Sequence, residues 1–283
     1  MKLTRQEAFS TWIVRLLLLV WTVAVVYPLL WTLLSSLKDN PQFYGNKPWA
    51  LPEIPLRWSN FSYVWTEYKF GAYFMNSTVV TCASTALAVL LSAMTAYIIA
   101  RFPFRGSNLL YFVYVSAMMI PLILGLIPLF FLLDSVGLTN NLLGLILVYA
   151  AGALPFGIFV LVAFYKSLPK EMEEAAAIDG SSEAGTFFRI MLPLSKPGLI
   201  TVAIINVLNI WNEYILGTVI MNDPMTKIYT LPVGIAVMQA EMQYRTEWGP
   251  LFAGLMFSMV PIIILYSFFQ RQITGGITAG AVK

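Results

Sequence analysis

The stretch EEAAAIDGSSEAGTFFRIMLPLSKPG, residues 173–198, is unlike the chain around it. Of the 283 residues, 59% are hydrophobic and only 11% charged, with a mean hydropathy of +0.76. A soluble domain carries about 25% charged residues. Within this oily background, residues 171–198 turn acidic, then small, then amphipathic around Asp179-Gly180. Such an island belongs in water, so it divides the membrane-seeking runs on either side of it.

Those runs are read from the absence of charge, since about 20 apolar residues as a helix cross the hydrocarbon. Leu16–Lys38, Phe70–Ala100, Gly106–Leu133 and Ser135–Tyr165 precede the island, and Pro197–Met221 and Trp248–Gln270 follow it. The fold class is therefore all-α, a polytopic membrane protein with six transmembrane helices and both termini on one side. The first run exceeds a signal-peptide core of about 7–15 residues and lacks an A-x-A site, so it reads as a retained anchor.

Eleven of the 17 Lys and Arg fall on the side of the termini and of loop 166–197. They are Lys2, Arg5, Arg15, Arg101, Arg105, Lys166, Lys170, Arg189, Lys196, Arg271 and Lys283; Lys38, Lys47, Arg57, Lys69, Lys227 and Arg245 oppose them. The positive-inside bias makes the richer side, with both termini and the island, cytoplasmic. The other side carries two sizeable loops. Residues 38–69 hold four prolines with Trp49, Trp58 and Trp65, and residues 222–247 hold two more prolines; both read as folded caps at the interface.

Several functions are excluded by what is missing. With no histidine there is no Ser-His-Asp or Cys-His triad and no imidazole metal site or relay. The single cysteine, Cys82, excludes an intrachain disulfide or CxxC motif and is expected as a small buried apolar residue. No G-x-x-x-x-G-K-[ST] occurs, so the chain carries no P-loop of its own. GSSEAG at 180–185 is not G-x-S-x-G, and the sequons at Asn60 and Asn76 arise by chance. A net charge of +3 without a basic cluster gives no sign of nucleic acid. No catalytic residue, metal ligand or cofactor is assigned.

Within the second run, Ser84, Ala88, Ser92, Ala96 and Ala100 recur every fourth residue, a flat stripe that lets another helix backbone approach. Prolines 28, 121, 128, 155 and 261 fall inside runs and mark kinks. No internal repeat is visible, unlike many secondary transporters.

Local chemistry shapes the island into a helix–turn–helix bracket. Pro169 suits a first helical turn, and Glu171, Glu173 and Glu174 complement its positive end. Gly180 supplies a left-handed helix stop, and Ser181 or Ser182 caps a second helix. There Ala184, Phe187, Phe188 and Met191 form one apolar stripe, which Leu192-Pro193 ends before Pro197-Gly198 opens the fifth run. Two readings compete: a segment lying on the inner leaflet, or a docking knob for a soluble partner. Surface-lying helices are rich in Lys and Arg, so the acidic opening favours docking.

The order Glu174-Ala175-Ala176, Gly180, Ile190, Leu192-Pro193 resembles the EAA loop of ABC importer permeases, and its place between the fourth and fifth runs matches. DGSSEAGTFFRIMLPLSKPGL at 179–199, NEY at 212–214 and the tail FFQRQITGGITAGAVK at 268–283 resemble sugar-importer permeases of the maltose type. The resemblance implies a type I ABC importer permease fold, with residues 1–283 as a single transmembrane permease domain in a bacterial or archaeal cytoplasmic membrane. It implies that Glu174, Ala175, Ala176, Asp179, Gly180, Phe187, Leu192 and Pro193 couple to a cytoplasmic ATPase. The implied partners are a second, homologous permease, two ATPase subunits and an extracytoplasmic sugar-binding protein, with lipid around the spans. On this reading the chain is a non-catalytic subunit.

Glu213 is the one ionisable residue well inside a run, and intramembrane carboxylates are expensive and functional by default. Asn206, Asn209 and Glu213 sit at i, i+3 and i+7, on one face of a helix, flanked by Trp211, Asn212 and Tyr214. These six are the expected substrate pathway, with Glu213 shaping the outer mouth or forming a structural polar cluster. Amides and rings with little charge suit a neutral sugar. A permease for another small polar solute and a stand-alone secondary transporter are the alternatives.

Overall fold

The computed structural model describes residues 5–47, 49–223, 225–242 and 247–281, with side chains described only between residues 11 and 270. Lys2, Pro48, Arg245 and Lys283 lie outside the described residues, and the side chains of Arg5, Arg271 and the tail beyond Gln270 do too. Among the described residues every regular element is helical.

Four stretches are long and apolar enough to cross a membrane: Thr11–Ser36, Phe70–Arg101, Leu142–Ser167 and Trp248–Gln270. They lie in helices α1 (Arg5–Ser36), α4 (Phe70–Arg101), α7 (Leu142–Ser167) and α14 (Trp248–Ala281), and correspond to the first, second, fourth and sixth apolar runs. The third and fifth runs depart from straight spans. α5 (Ser107–Ala117) meets the helical stretch Leu122–Ser135, which contains α6 (Leu126–Ser135), at 93°. Pro121 stands at the corner with ψ 123°, because its ring and the restriction it places on residue 120 cannot continue an α-helix. The fifth run stops at Asn212: α11 (Lys196–Asn212) is followed by a break and then α12 (Ile215–Ile220).

The chain groups into two compact units, Met1–Gly71 with Ile235–Val260, and Ala72–Gly234 with Pro261–Lys283. In the first, residues 12–30 of α1 are exposed all round, as a helix solvated by lipid would be. The loop after it is folded. Asp39 caps α2 (Asn40–Gly45) by accepting from the Gln42 amide at 3.3 Å and pairs with Arg57 at 3.1 Å. Asn60, in α3 (Ser59–Thr66), donates to the Ser36 and Lys38 carbonyls at 2.8 and 2.9 Å. Phe252 stacks on Phe43 and meets Trp31 edge-on, with ring centroids 5.6 and 5.0 Å apart. The Lys38 amine stands over the Phe43 ring at 5.6 Å, and burial holds its pKa below the ordinary lysine value.

In the second unit the small-residue stripe does what its spacing suggested. Ser84, Ala88, Ser92 and Ala96 are completely buried. A Cβ added at Gly157 of α7 would lie 2.3 Å from Ser92 Oγ, 2.8 Å from Ser92 Cβ and 3.3 Å from Val202 Cγ1 of α11. α4, α7 and α11 thus converge where two of three side chains are minimal, a close approach that maximises dispersion contact where lipid offers no hydrophobic drive. Cys82 corrects its expectation: it is exposed, because it lies two residues before Ser84, about 200° round a helix from the buried stripe. Residues 229–231 are also buried, the Tyr229 carbonyl accepting from Asn76 at 2.9 Å and the Leu231 amide donating to Ser77 at 2.7 Å. The start of α13 (Leu231–Glu241) is therefore tied to α4 rather than resting on a surface.

Candidate functional site

α8 (Glu171–Ile178) opens the bracket. Its helix begins after Pro169, which precedes the N-cap Lys170 instead of joining the first turn. All three glutamates occupy that turn and favour the positive helix end. The stop is a complete Schellman closure: the Ser181 amide reaches the Ala176 carbonyl at 2.9 Å, and the Gly180 amide the Ala177 carbonyl at 3.1 Å. Gly180 has φ +76°, a conformation that glycine adopts without cost. Of the two candidate serines, Ser182 is the cap, its Oγ accepting from the Gly185 amide at 3.2 Å.

α9 (Glu183–Thr186) then passes into a π-helical turn at Phe187–Met191 and α10 (Leu192–Leu194), with the Leu192 amide reaching back to the Phe187 carbonyl. This overturns the single apolar stripe. Phe187 and Met191 are buried, while Ala184 and Phe188 are exposed, because the wider turn changes which positions share a face. Pro193 does not end the helix either; it sits in the first turn of α10, and the helix closes at Ser195. Pro197 does fall in the first turn of α11.

The residues expected to couple separate by exposure. Glu174, Ala175, Asp179, Gly180 and Pro193 are exposed, Leu192 is intermediate, and Ala176 and Phe187 are buried. Phe187 packs on Tyr97, ring centroids 5.1 Å apart, so it anchors the bracket from within. Ile178, at the tip, is 87% exposed. The outer surface is thus acidic and small with apolar points at Met172, Ile178 and Phe188, a surface suited to a protein cleft.

Two polar fixings at the ends of the bracket are not visible in local sequence. Arg101, the last residue of α4, donates from Nη2 to the Leu168 carbonyl at 2.8 Å. Its Nε lies 3.3 Å from Glu173 Oε2, an ion pair rather than an aligned hydrogen bond. At the exit, the buried Tyr165 and Ser195 hydroxyls lie 3.1 Å apart, and Ser195 donates to the Leu192 carbonyl at 2.9 Å. The signal for Arg101 was weak: one of two bases, with Arg105, in the turn after the second apolar run.

The six residues expected to line a pathway are not brought together as one face. Asn206 is buried, and its amide nitrogen has no hydrogen-bond partner. Asn209, Asn212 and Tyr214 are exposed, Asn212 bonding back to the Leu208 carbonyl at 2.7 Å. Trp211 is buried edge-on to Phe74, 5.6 Å between centroids. Glu213 is extended, ψ 128°, so the i+7 spacing from Asn206 no longer sets its direction. Its carboxylate caps α12, accepting from the Leu216 and Gly217 amides at 2.8 and 3.1 Å and from the Tyr149 hydroxyl. That is a structural use of the charge: two free amides at a helix start are satisfied, and the fifth span is broken where they are.

Residues 88–278 match the family of binding-protein-dependent transport system inner membrane components. The diacetylchitobiose uptake system permease of Streptomyces coelicolor is 40% identical over 267 residues, 94% of this chain and 87% of that protein. The trehalose/maltose transport system permease of Thermococcus litoralis is 30% identical over 281 residues, 99% of both chains. Among solved structures, a bacterial ABC transporter that imports the acidic polysaccharide alginate superposes with TM-score 0.79 at 20% identity, covering 96% of this chain and 99% of that one.

Proposed function

We propose a function from one established premise: the chain belongs to the family of binding-protein-dependent transport system inner membrane components. It is a multi-pass permease subunit of an ATP-driven importer. The proposed cargo is a carbohydrate, supported by relatives named for diacetylchitobiose, trehalose and maltose and by the exposed, uncharged Asn209, Asn212 and Tyr214, side chains that suit a polyhydroxylated solute. The proposed partners are a second permease, two ATPase subunits and an extracytoplasmic binding protein, and the proposed orientation puts both termini and the bracket in the cytoplasm.

The observation that carries this reading is the bracket. A chain without a nucleotide-binding loop holds out a capped, acidic helix pair with Ile178 almost fully solvated, while its base is fixed by Arg101, Tyr165 and Phe187. A capped, rigidly supported helix pair with small residues at its surface lets a partner's backbone approach closely. Glu174, Ala175, Asp179 and Gly180 are the residues proposed to meet the ATPase. Asn209, Asn212 and Tyr214 are proposed to face the sugar's path, with Glu213 holding the local backbone.

Coexpression with the partner permease and ATPase tests this. Glu174→Lys reverses the exposed charge, and Gly180→Pro cannot reach φ +76°. Both variants are expected to insert normally yet lose ATPase on purification and sugar uptake in vesicles. Retention of ATPase at wild-type yield by both would overturn the docking role.

A further inference from the structure

We propose that Arg101 is a positioning residue that makes the inner end of α4 and the coupling bracket move as one body, so that force applied to the bracket reaches α4 directly. The inference rests on the importer reading above and adds a transmission element to it.

The bracket leaves α7 at Leu168 and returns at α11, so the chain itself links it only to those two helices. α4 is about 70 residues away in sequence, yet its terminal guanidinium contacts the bracket at two points on opposite sides of its entry. One is the Leu168 carbonyl at 2.8 Å, the C-cap of α7. The other is Glu173 at 3.3 Å, in the first turn of α8. The Arg101 side chain is only 5% exposed and that of Glu173 21%, so the pair is largely shielded and little screened by salt. A guanidinium suits this use, because Nη2 donates to the Leu168 carbonyl while the delocalised charge extends to Nε beside Glu173, whereas an ammonium acts as one point charge. Beneath it, Tyr97, one turn earlier on α4, packs on both Phe187 and Tyr165, at 5.1 and 5.5 Å between ring centroids. Guanidinium and aromatic cluster therefore grip the bracket from one helix. The acidic residue that enters this grip is Glu173, and its neighbour Glu174 stays exposed for a partner. Two adjacent glutamates thus have separate duties, one turned inward and one outward.

The test uses the assembled transporter in proteoliposomes with its ATPase, partner permease and binding protein, at matched amounts of complex. The readout is sugar imported per ATP hydrolysed, which a merely structural defect would leave unchanged while lowering both rates together. Arg101→Met is expected to lower the ratio about tenfold while ATP hydrolysis persists. Glu173→Gln keeps shape and is expected to lower it about threefold, and it keeps the test decisive if Arg101→Met assembles poorly. Arg101→Lys is expected to fall between them. A wild-type ratio in Glu173→Gln, or a proportional fall of both rates in every variant, would overturn the proposal. Failure of the wild-type complex to import any carbohydrate would instead refute the cargo reading.

Discussion

Gly157→Ala offers a quantitative test of the packing between α4, α7 and α11. The added methyl would fall 2.3 Å from Ser92 Oγ and 2.8 Å from Ser92 Cβ. The hydroxyl can rotate away, but the Cβ cannot move without its helix, so the helices must part by several tenths of an ångström. Separation on that scale forfeits a quarter to a half of each dispersion contact along the seam, and overpacking of this kind costs about 1–3 kcal/mol. Alanine recovers about 1 kcal/mol of helix propensity over glycine, which would mask part of the loss in the single variant. A double-mutant cycle with Ser92→Gly cancels the propensities and isolates the clash. With both Ser92 atoms removed, the nearest of the remaining neighbours is Val202 Cγ1 at 3.3 Å. The expected coupling is about 1–3 kcal/mol in favour of the double variant, or roughly 2–4 °C in thermal midpoint for each kcal/mol. The assay is thermal unfolding in detergent followed by size exclusion. Coupling indistinguishable from zero would show that the seam is looser than the distances say.

Three further predictions separate the polar residues of the fifth span. Glu213→Gln replaces one accepting oxygen by an NH2 group facing the Gly217 or Leu216 amide, so α12 should lose about 1–3 kcal/mol, seen as faster amide exchange at residues 215–218; unchanged exchange would show that the carboxylate does not hold the break. Asn209→Leu, on the exposed face, should reduce sugar uptake without changing binding-protein affinity. Asn206→Leu removes an unpartnered buried amide and should leave uptake intact with stability unchanged or raised; the opposite ranking in uptake assays would relocate the path.

Where backbone conformation is set by one or two residues, the sequence was a sufficient guide. Gly180 takes the left-handed turn, a serine caps the second helix, Pro197 opens α11, and four apolar runs lie in long helices, of which the first begins earlier than its run, at Arg5, that of the fourth run later, at Leu142, and the last continues to Ala281. The readings that changed depend on partners distant in sequence. Glu213 looked like a residue within a span because nothing nearby announces Tyr149, 64 positions earlier. Pro121 was recognised as a kink, but a 93° corner depends on what the two halves pack against. The Arg101–Glu173 pair is 72 residues apart, and local periodicity has no access to it. In the bracket, an α-helical wheel predicted the wrong side for Phe188 because the turn at Phe187–Met191 is not α-helical.

That wide turn sets an angular phase. An α-helix advances about 100° per residue, so one residue more or fewer between Ser182 and Ser195 would swing the tip, with Glu174 and Ile178, by a comparable angle around the axis of the stretch Glu183–Leu194, which is itself bent 73° from α11. The chemistry of the tip and the apolar character of the span would both be untouched. The aim of the bracket thus depends on the length of these five residues as well as on the buried Phe187 and Met191 among them.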